Sequence, residues 1–153
     1  ENCELQPMTI FGGDPAYLHS VARDLQVDRP GVNYHPAVYE PNEVQRIFKQ
    51  SKININVSSM QFDYAVVNRF HDVIMSGGLC LTDARSGLAD LTSLHEDVSF
   101  RTLDELQYRA EYFSRPENAQ QRAQLIKSIQ KDIINNSGYP LLAKTIISTL
   151  KEL

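Results

Sequence analysis

Arg69 and Asp72 stand three residues apart in "NRFHDVIM", one turn of helix if the segment is helical. That spacing has two readings. One is a surface ion pair, worth a few tenths of a kcal/mol. The other lays the planar Arg fork on a diphosphate, two oxygens at once, with the Asp accepting from a ribose diol. Gly12-Gly13-Asp14-Pro15 follows an apolar run and precedes a helical pattern. A glycine turn there brings backbone N–H groups and a helix dipole to a phosphate, or it is simply a tight turn with Pro opening the helix. It matches neither GxGxxG nor GxxxxGK[ST], which disfavours classical dinucleotide and P-loop sites. Ser58-Ser59, also at the end of an apolar run, suits phosphate, sugar or a turn. His19, His35, His71 and His95 show no metal-binding spacing. There is no GxSxG elbow and no Cys–His pairing. Tyr108, Tyr112 and Phe113 read as packing, and the amide-rich run 117–130 as a solvated face.

These residues need elements to hold them. Short apolar runs at 8–11, 32–35, 53–57, 79–81 and 98–100 read as strands. Helical patterns fall at 16–25, 41–51, 64–75, 104–113, 117–135 and 139–153, with a turn near 88–91. Asp104 is read as a helix cap, and Gly77 as the stop of the 64–75 helix in a left-handed conformation. The alternation predicts an α/β fold, a Rossmann-like parallel sheet with helices on both faces. Ligands of such sheets sit outside the C-terminal strand ends. Gly12, Gly13, His35, Ser58, Ser59 and Asp83 should therefore share one rim, with Thr82-Asp83 just past the 79–81 strand.

Whole-chain properties narrow the class. The 153 residues are 42% hydrophobic and 22% charged, enough for one domain over 1–153 with a real core. A net charge of −4 argues against a general nucleic-acid or anionic-membrane binder. Cys3 and Cys80 are far apart, which favours a reducing, cytoplasmic setting, with Cys80 a small core residue. No apolar run reaches the roughly 18 residues of a membrane span. The first residue is Glu, so a piece of a longer protein is expected.

Taken together, "KININVSSMQFDYAVVNRFHDVIMSGGLCLTD" resembles the C-terminal domain of glycosyltransferases built from two Rossmann-like halves, the GT-B fold. More narrowly it resembles the group-1-type, spore-maturation CgeB-like domains. Lys52 to Asn56, Arg69 to Asp72, Gly77-Gly78 and Leu79 to Asp83 fill that family's slots in order. The flanks "VNYHPAVYEPNEVQRIFKQS", "VSFRTLDELQYRAEYFSRPENAQQRA" and "GYPLLAKTIISTL" are similar too, so the likeness covers about 8 to 153.

The resemblance implies a donor domain for a nucleotide-sugar (UDP-, GDP- or dTDP-linked), with no tightly bound cofactor and no metal. It implies an acceptor held by an N-terminal half outside this chain. It places the diphosphate near Gly12, Gly13, Ser58, Ser59 and Arg69, the base by His35, Val38 and Tyr39, and Asn68 and Tyr64 among the donor-binding residues. Arg69 would stabilise the leaving group and Asp72 would contact the ribose as the family's second acid. The first acid's slot, eight positions earlier, holds Tyr64 with Asp63 beside it. An isolated piece is expected to bind nucleotide without transferring sugar. A noncatalytic Rossmann-like nucleotide- or protein-binding module is the alternative. A response-regulator-like fold fits less well, because only Asp14 lies near the first strand and no Lys ends the 98–100 strand.

Overall fold

The computed structural model describes residues 7–12, 14–24, 31–58 and 64–151. Gly13, Ser59 and Asp63 lie outside them. The chain divides into two compact units, Glu1–Ile47 and Phe48–Leu153. Both are α/β, with parallel strands flanked by helices, a Rossmann-like organisation.

In the first unit, β1 (Met8–Phe11) pairs in parallel with β2 (Val32–His35), Met8 opposite Val32 and Phe11 opposite His35. Helix α1 (Pro15–Asp24) crosses between them. Gly12 turns the chain at φ 132°, a conformation that side chains disfavour. Asp14 Oδ1 accepts from the Ala16 N–H at 2.9 Å, covering an orphan donor of the helix. Helix α2 (Pro41–Gln50) starts on Pro41, and Glu40 Oε2 accepts from the Glu43 N–H at 2.6 Å. Its apolar residues Val44, Ile47 and Phe48 are the partly buried ones, as their helical spacing predicts.

The second unit holds a parallel sheet of β3 (Asn54–Asn56), β4 (Cys80–Asp83) and β5 (Ser99–Phe100), with β4 central. Helix α3 (Asn68–Met75) joins β3 to β4 and buries Phe70, Val73 and Ile74. Short helices α4 (Leu88–Leu91) and α5 (His95–Val98) lead into β5. Then follow α6 (Leu103–Ser114), a 3₁₀ turn at Pro116–Asn118, α7 (Ala119–Ser137) and α8 (Tyr139–Lys151). Leu79, Leu81, Leu88, Val98 and Ile129 are buried to 1% exposure or less, each worth about 2 kcal/mol of transfer free energy.

The paired glycines serve two needs. Gly77 ends α3 at φ 87°. Gly78 makes room instead. A Cβ there would stand 2.4 Å from the Phe48 carbonyl oxygen and 2.8 Å from Asn54 Nδ2. That space lets the Asn54 amide bridge the Phe48 and Leu79 carbonyls at 3.0 and 3.1 Å. Part of the K-I-N-I-N pattern is thus structural. Gly78→Ala is expected to cost about 1–3 kcal/mol, because the obstacle is the Phe48 backbone, which must shift. A urea melt with an unchanged midpoint would refute this.

Several element boundaries differ from expectation. The helix read from Tyr64 begins at Asn68, since Val67 is extended (φ −69°, ψ 148°). Ala65, Val66 and Val67 prolong the apolar pattern, but Tyr64 is tied to another element. Its carbonyl accepts from the Gly87 N–H at 3.1 Å and its hydroxyl donates to Asp90. Thr82 and Asp83 lie within β4, because they pair with Ser99 and Phe100. The cap of α6 is Thr102, not Asp104. Thr102 Oγ1 accepts from the Glu105 N–H at 3.2 Å, and Glu105 reaches back to the Arg101 N–H at 2.7 Å, in the manner of a capping box. The 117–135 helix begins at Ala119, after the turn set by Pro116. Phe113 is buried as predicted, whereas Tyr108 is exposed and stacks on Tyr112.

Candidate functional site

At the C-terminal end of β3 the second unit opens a cleft of about 450 Å³, lined by Asn56, Val57, Ser58, Val67, Asn68, Arg69 and Asp72. One wall is the end of the strand and the other is the first turn of α3. Val67, in the N-cap place, has no side-chain oxygen to offer and makes no capping bond. Of the first-turn N–H groups, that of Phe70 donates to the Val67 carbonyl at 3.0 Å; the turn has no side-chain cap, and an anion is favoured at such a helix start.

Arg69 is exposed and makes no ion pair among the described residues. The i, i+3 ion pair with Asp72, one reading of the spacing, is not formed. Arg69 also occupies the end of α3 where the dipole disfavours a cation. A cation held at this place contributes nothing evident to folding, yet it is free to meet an anion. Asp72 is exposed on the same helix. Next to it, His71 is half-buried; burial pushes its imidazole below the usual value, against the opposing pull of the Asp72 carboxylate and the Val67 backbone.

Ser58 is 8% exposed and its Oγ makes no hydrogen bond among the described residues. A buried hydroxyl in that state carries an unmet hydrogen-bonding demand. Its backbone N–H is satisfied, donating to Asp83 Oδ1 at 2.8 Å. Arg85 Nε donates to Asp83 Oδ2 at 2.7 Å. Burial pushes the Asp83 carboxyl up, but the Ser58 N–H, the nearby Ser58 hydroxyl and the Arg85 guanidinium outweigh it and hold the carboxyl below its usual range. Cys80 is fully buried in β4 and its thiol is pushed up to about 12 by burial. It is a core residue and not a nucleophile at neutral pH.

The sequence-predicted residues thus divide. Ser58, Asn68, Arg69 and Asp72 come together in the cleft. Tyr64 does not line it and is bound to Asp90 and Gly87 instead. Gly12, His35, Val38 and Tyr39 belong to the first unit. There His35 stacks on Phe11 with centroids 5.4 Å apart, and Tyr39 is 87% exposed. Gly13 and Ser59 lie outside the described residues. Asn56, Val57 and Val67 line the cleft without having been singled out. The strand-end rule could have found Asn56 and Val57. Nothing in the sequence marks Val67, which matters only because the helix starts after it.

Among the described residues no group of three or more His, Cys, Asp or Glu is placed to hold a metal ion, and no helix is long and apolar enough to cross a membrane. A family model described as "Glycosyl transferase-like" matches residues 4–147. No curated protein and no solved structure matches the chain.

Proposed function

Because the chain belongs to the glycosyl transferase-like family, with glycosyl transfer as its general role, we propose that it is the donor-binding half of a GT-B enzyme of the CgeB-like group. The donor is a UDP-, GDP- or dTDP-sugar, and the acceptor is bound by an N-terminal half. The cytoplasm supplies the donor. The observation that carries this reading is the cleft, where the first turn of α3 without a side-chain cap, Arg69 without an ion pair among the described residues and the buried Ser58 hydroxyl converge.

These groups suit a diphosphate. In transfer, the bond between the anomeric carbon and the phosphate oxygen breaks, and the acceptor oxygen bonds to that carbon. Negative charge grows on the departing diphosphate. Arg69 and the helix N–H groups are fixed positive partners for it, so they need little rearrangement as charge develops. No metal is required in this scheme. Asp72 accepts from the ribose hydroxyls. Asn68 adds a side-chain amide beside the phosphates. For Gly12, Gly13, His35, Val38, Tyr39 and Ser59 the assignment to the donor rests on the resemblance alone.

Thermal-shift and NMR titration with UDP, GDP, ADP, CMP and dTDP tests the proposal. One diphosphate should stabilise the chain by about 2.7 kcal/mol at 100 times its dissociation constant, and should move the Asn68 and Arg69 amides. No response from any of them at millimolar concentration would sink it. A noncatalytic nucleotide-binding module is the second reading, favoured by Tyr64 in the first acid's place and turned to Asp90. Under that reading the same titration succeeds, but the full-length protein consumes no sugar donor.

A further inference from the structure

Thr82-Asp83, the last two residues of β4, reach the wall of the cleft from behind. Asp83 Oδ1 accepts the Ser58 N–H at 2.8 Å. Asn56 Nδ2 donates to Thr82 Oγ1 at 3.0 Å, and that hydroxyl donates onward to Asp83 Oδ1 at 3.4 Å. Arg85 holds the other carboxylate oxygen at 2.7 Å. Asn56 and Ser58 are buried and line the cleft, whereas Asp83 does not line it.

The same run of chain holds the segment just before α3. Tyr64 carbonyl accepts from the Gly87 N–H at 3.1 Å, and Tyr64 hydroxyl donates to Asp90. Gly87 leaves no room for a side chain, since a Cβ would stand 2.5 Å from the Tyr64 carbonyl oxygen. Residues 83–90 therefore grip Ser58 on one side of the β3–α3 connection and Tyr64 on the other.

We infer that the segment 83–90 is the positioning element of the cleft, and that Asp83 is its principal positioning residue. Asp83 touches no ligand. Through an oxygen acceptor it sets where Ser58 and, by way of Thr82, Asn56 stand. The inference rests on the reading of the cleft as a diphosphate site. It has a consequence opposite in sign to simple electrostatics. A carboxylate behind an anion site repels the anion, and deleting it also frees Arg85 from this partner. Charge alone thus makes Asp83→Ala bind an anion more tightly, whereas loss of positioning makes it bind less tightly.

Inorganic pyrophosphate is titrated into the full chain, with affinity read from the Asn68 and Arg69 amide shifts. Asp83→Ala is expected to bind about five- to tenfold more weakly, the scale of one lost hydrogen bond. Asp83→Asn, which keeps an oxygen for the Ser58 N–H, is expected to stay within about threefold of the wild type. Tyr64→Phe removes one hydroxyl at an exposed site, and should weaken binding about two- to threefold with an unchanged melting temperature.

Equal or tighter binding by folded Asp83→Ala overturns the inference, as does an equal loss in Asp83→Asn. If Asp83→Ala fails to fold, Tyr64→Phe decides, and undiminished affinity in it overturns the inference. A wild type that ignores millimolar pyrophosphate overturns the diphosphate reading and this inference together. A wild type that binds, beside an Asp83→Ala that binds as well, overturns this inference alone.

Discussion

Arg69→Ala is expected to weaken diphosphate binding by about 1.5–3 kcal/mol, roughly 10- to 150-fold, because a charge-assisted hydrogen bond is lost. The fold should not notice. Arg69 is exposed and has no ion-pair partner among the described residues, so its removal orphans nothing. Its place in the first turn of α3 opposes the helix dipole. The melting temperature should therefore hold or rise slightly. Arg69→Lys keeps the charge but not the two-pronged geometry, and should fall between the two. Calorimetric titration of the three proteins with the nucleotide that binds the wild type reads this directly. An unchanged affinity in Arg69→Ala would remove Arg69 from the site and leave the helix N–H groups to explain binding.

Phe70→Ala is expected to cost about 3–5 kcal/mol of stability, a large share of what holds a domain together. Phe70 is 0% exposed and shares the buried face of α3 with Val73 and Ile74. A packed interior relaxes only in part around a deleted ring, so a cavity remains. At about 2–4 °C per kcal/mol, the melting temperature should drop by about 10 °C. Arg69 is the adjacent residue, yet its replacement should leave stability alone. The contrast between neighbours separates the face of α3 that holds the fold from the turn that meets the ligand. A loss below about 1 kcal/mol in a urea melt would mean that α3 is not seated on the sheet as described.

Much of the architecture was legible because its causes are local. The runs 53–57 and 79–81 announce strands by β-branched and apolar content, and β3 and β4 form there, with β4 running on to Asp83. Gly77 announces a helix stop, and it stands at φ 87°. Phe70, Val73 and Ile74 announce an inward face, and all three are buried. Within the site, Arg69 and Asp72 could be placed on one helix, and Ser58 at a strand end, from spacing alone.

Other features depend on partners far along the chain. Residues 65–67 carry an apolar pattern that suits a helix, but Tyr64 bonds to Gly87 and Asp90, and Val67 stays extended. No local pattern could weigh a contact 26 residues away. The role of Asp83 is of the same kind. From sequence it is an acid at a strand end, open to a ligand; in the fold its oxygens go to Ser58 and Arg85. Asp132 is a further case, a helix residue that accepts from Thr92 Oγ1 at 2.7 Å across 40 positions.

By itself the sequence determined the alternation of the main strands and helices, the inward face of α3, the glycine stop and which helix carries Arg69 and Asp72, since periodicity and backbone freedom act over a few residues; the short helix α5, in place of a strand at Val98, it did not show. Only the tertiary structure decided that α3 opens without a side-chain cap, that Tyr64 is bound to Gly87 and Asp90 and that Thr82-Asp83 hold Asn56 and Ser58 in the cleft wall. The last of these turns on the register between β3 and β4, where a shift of one residue would send each side chain to the opposite face.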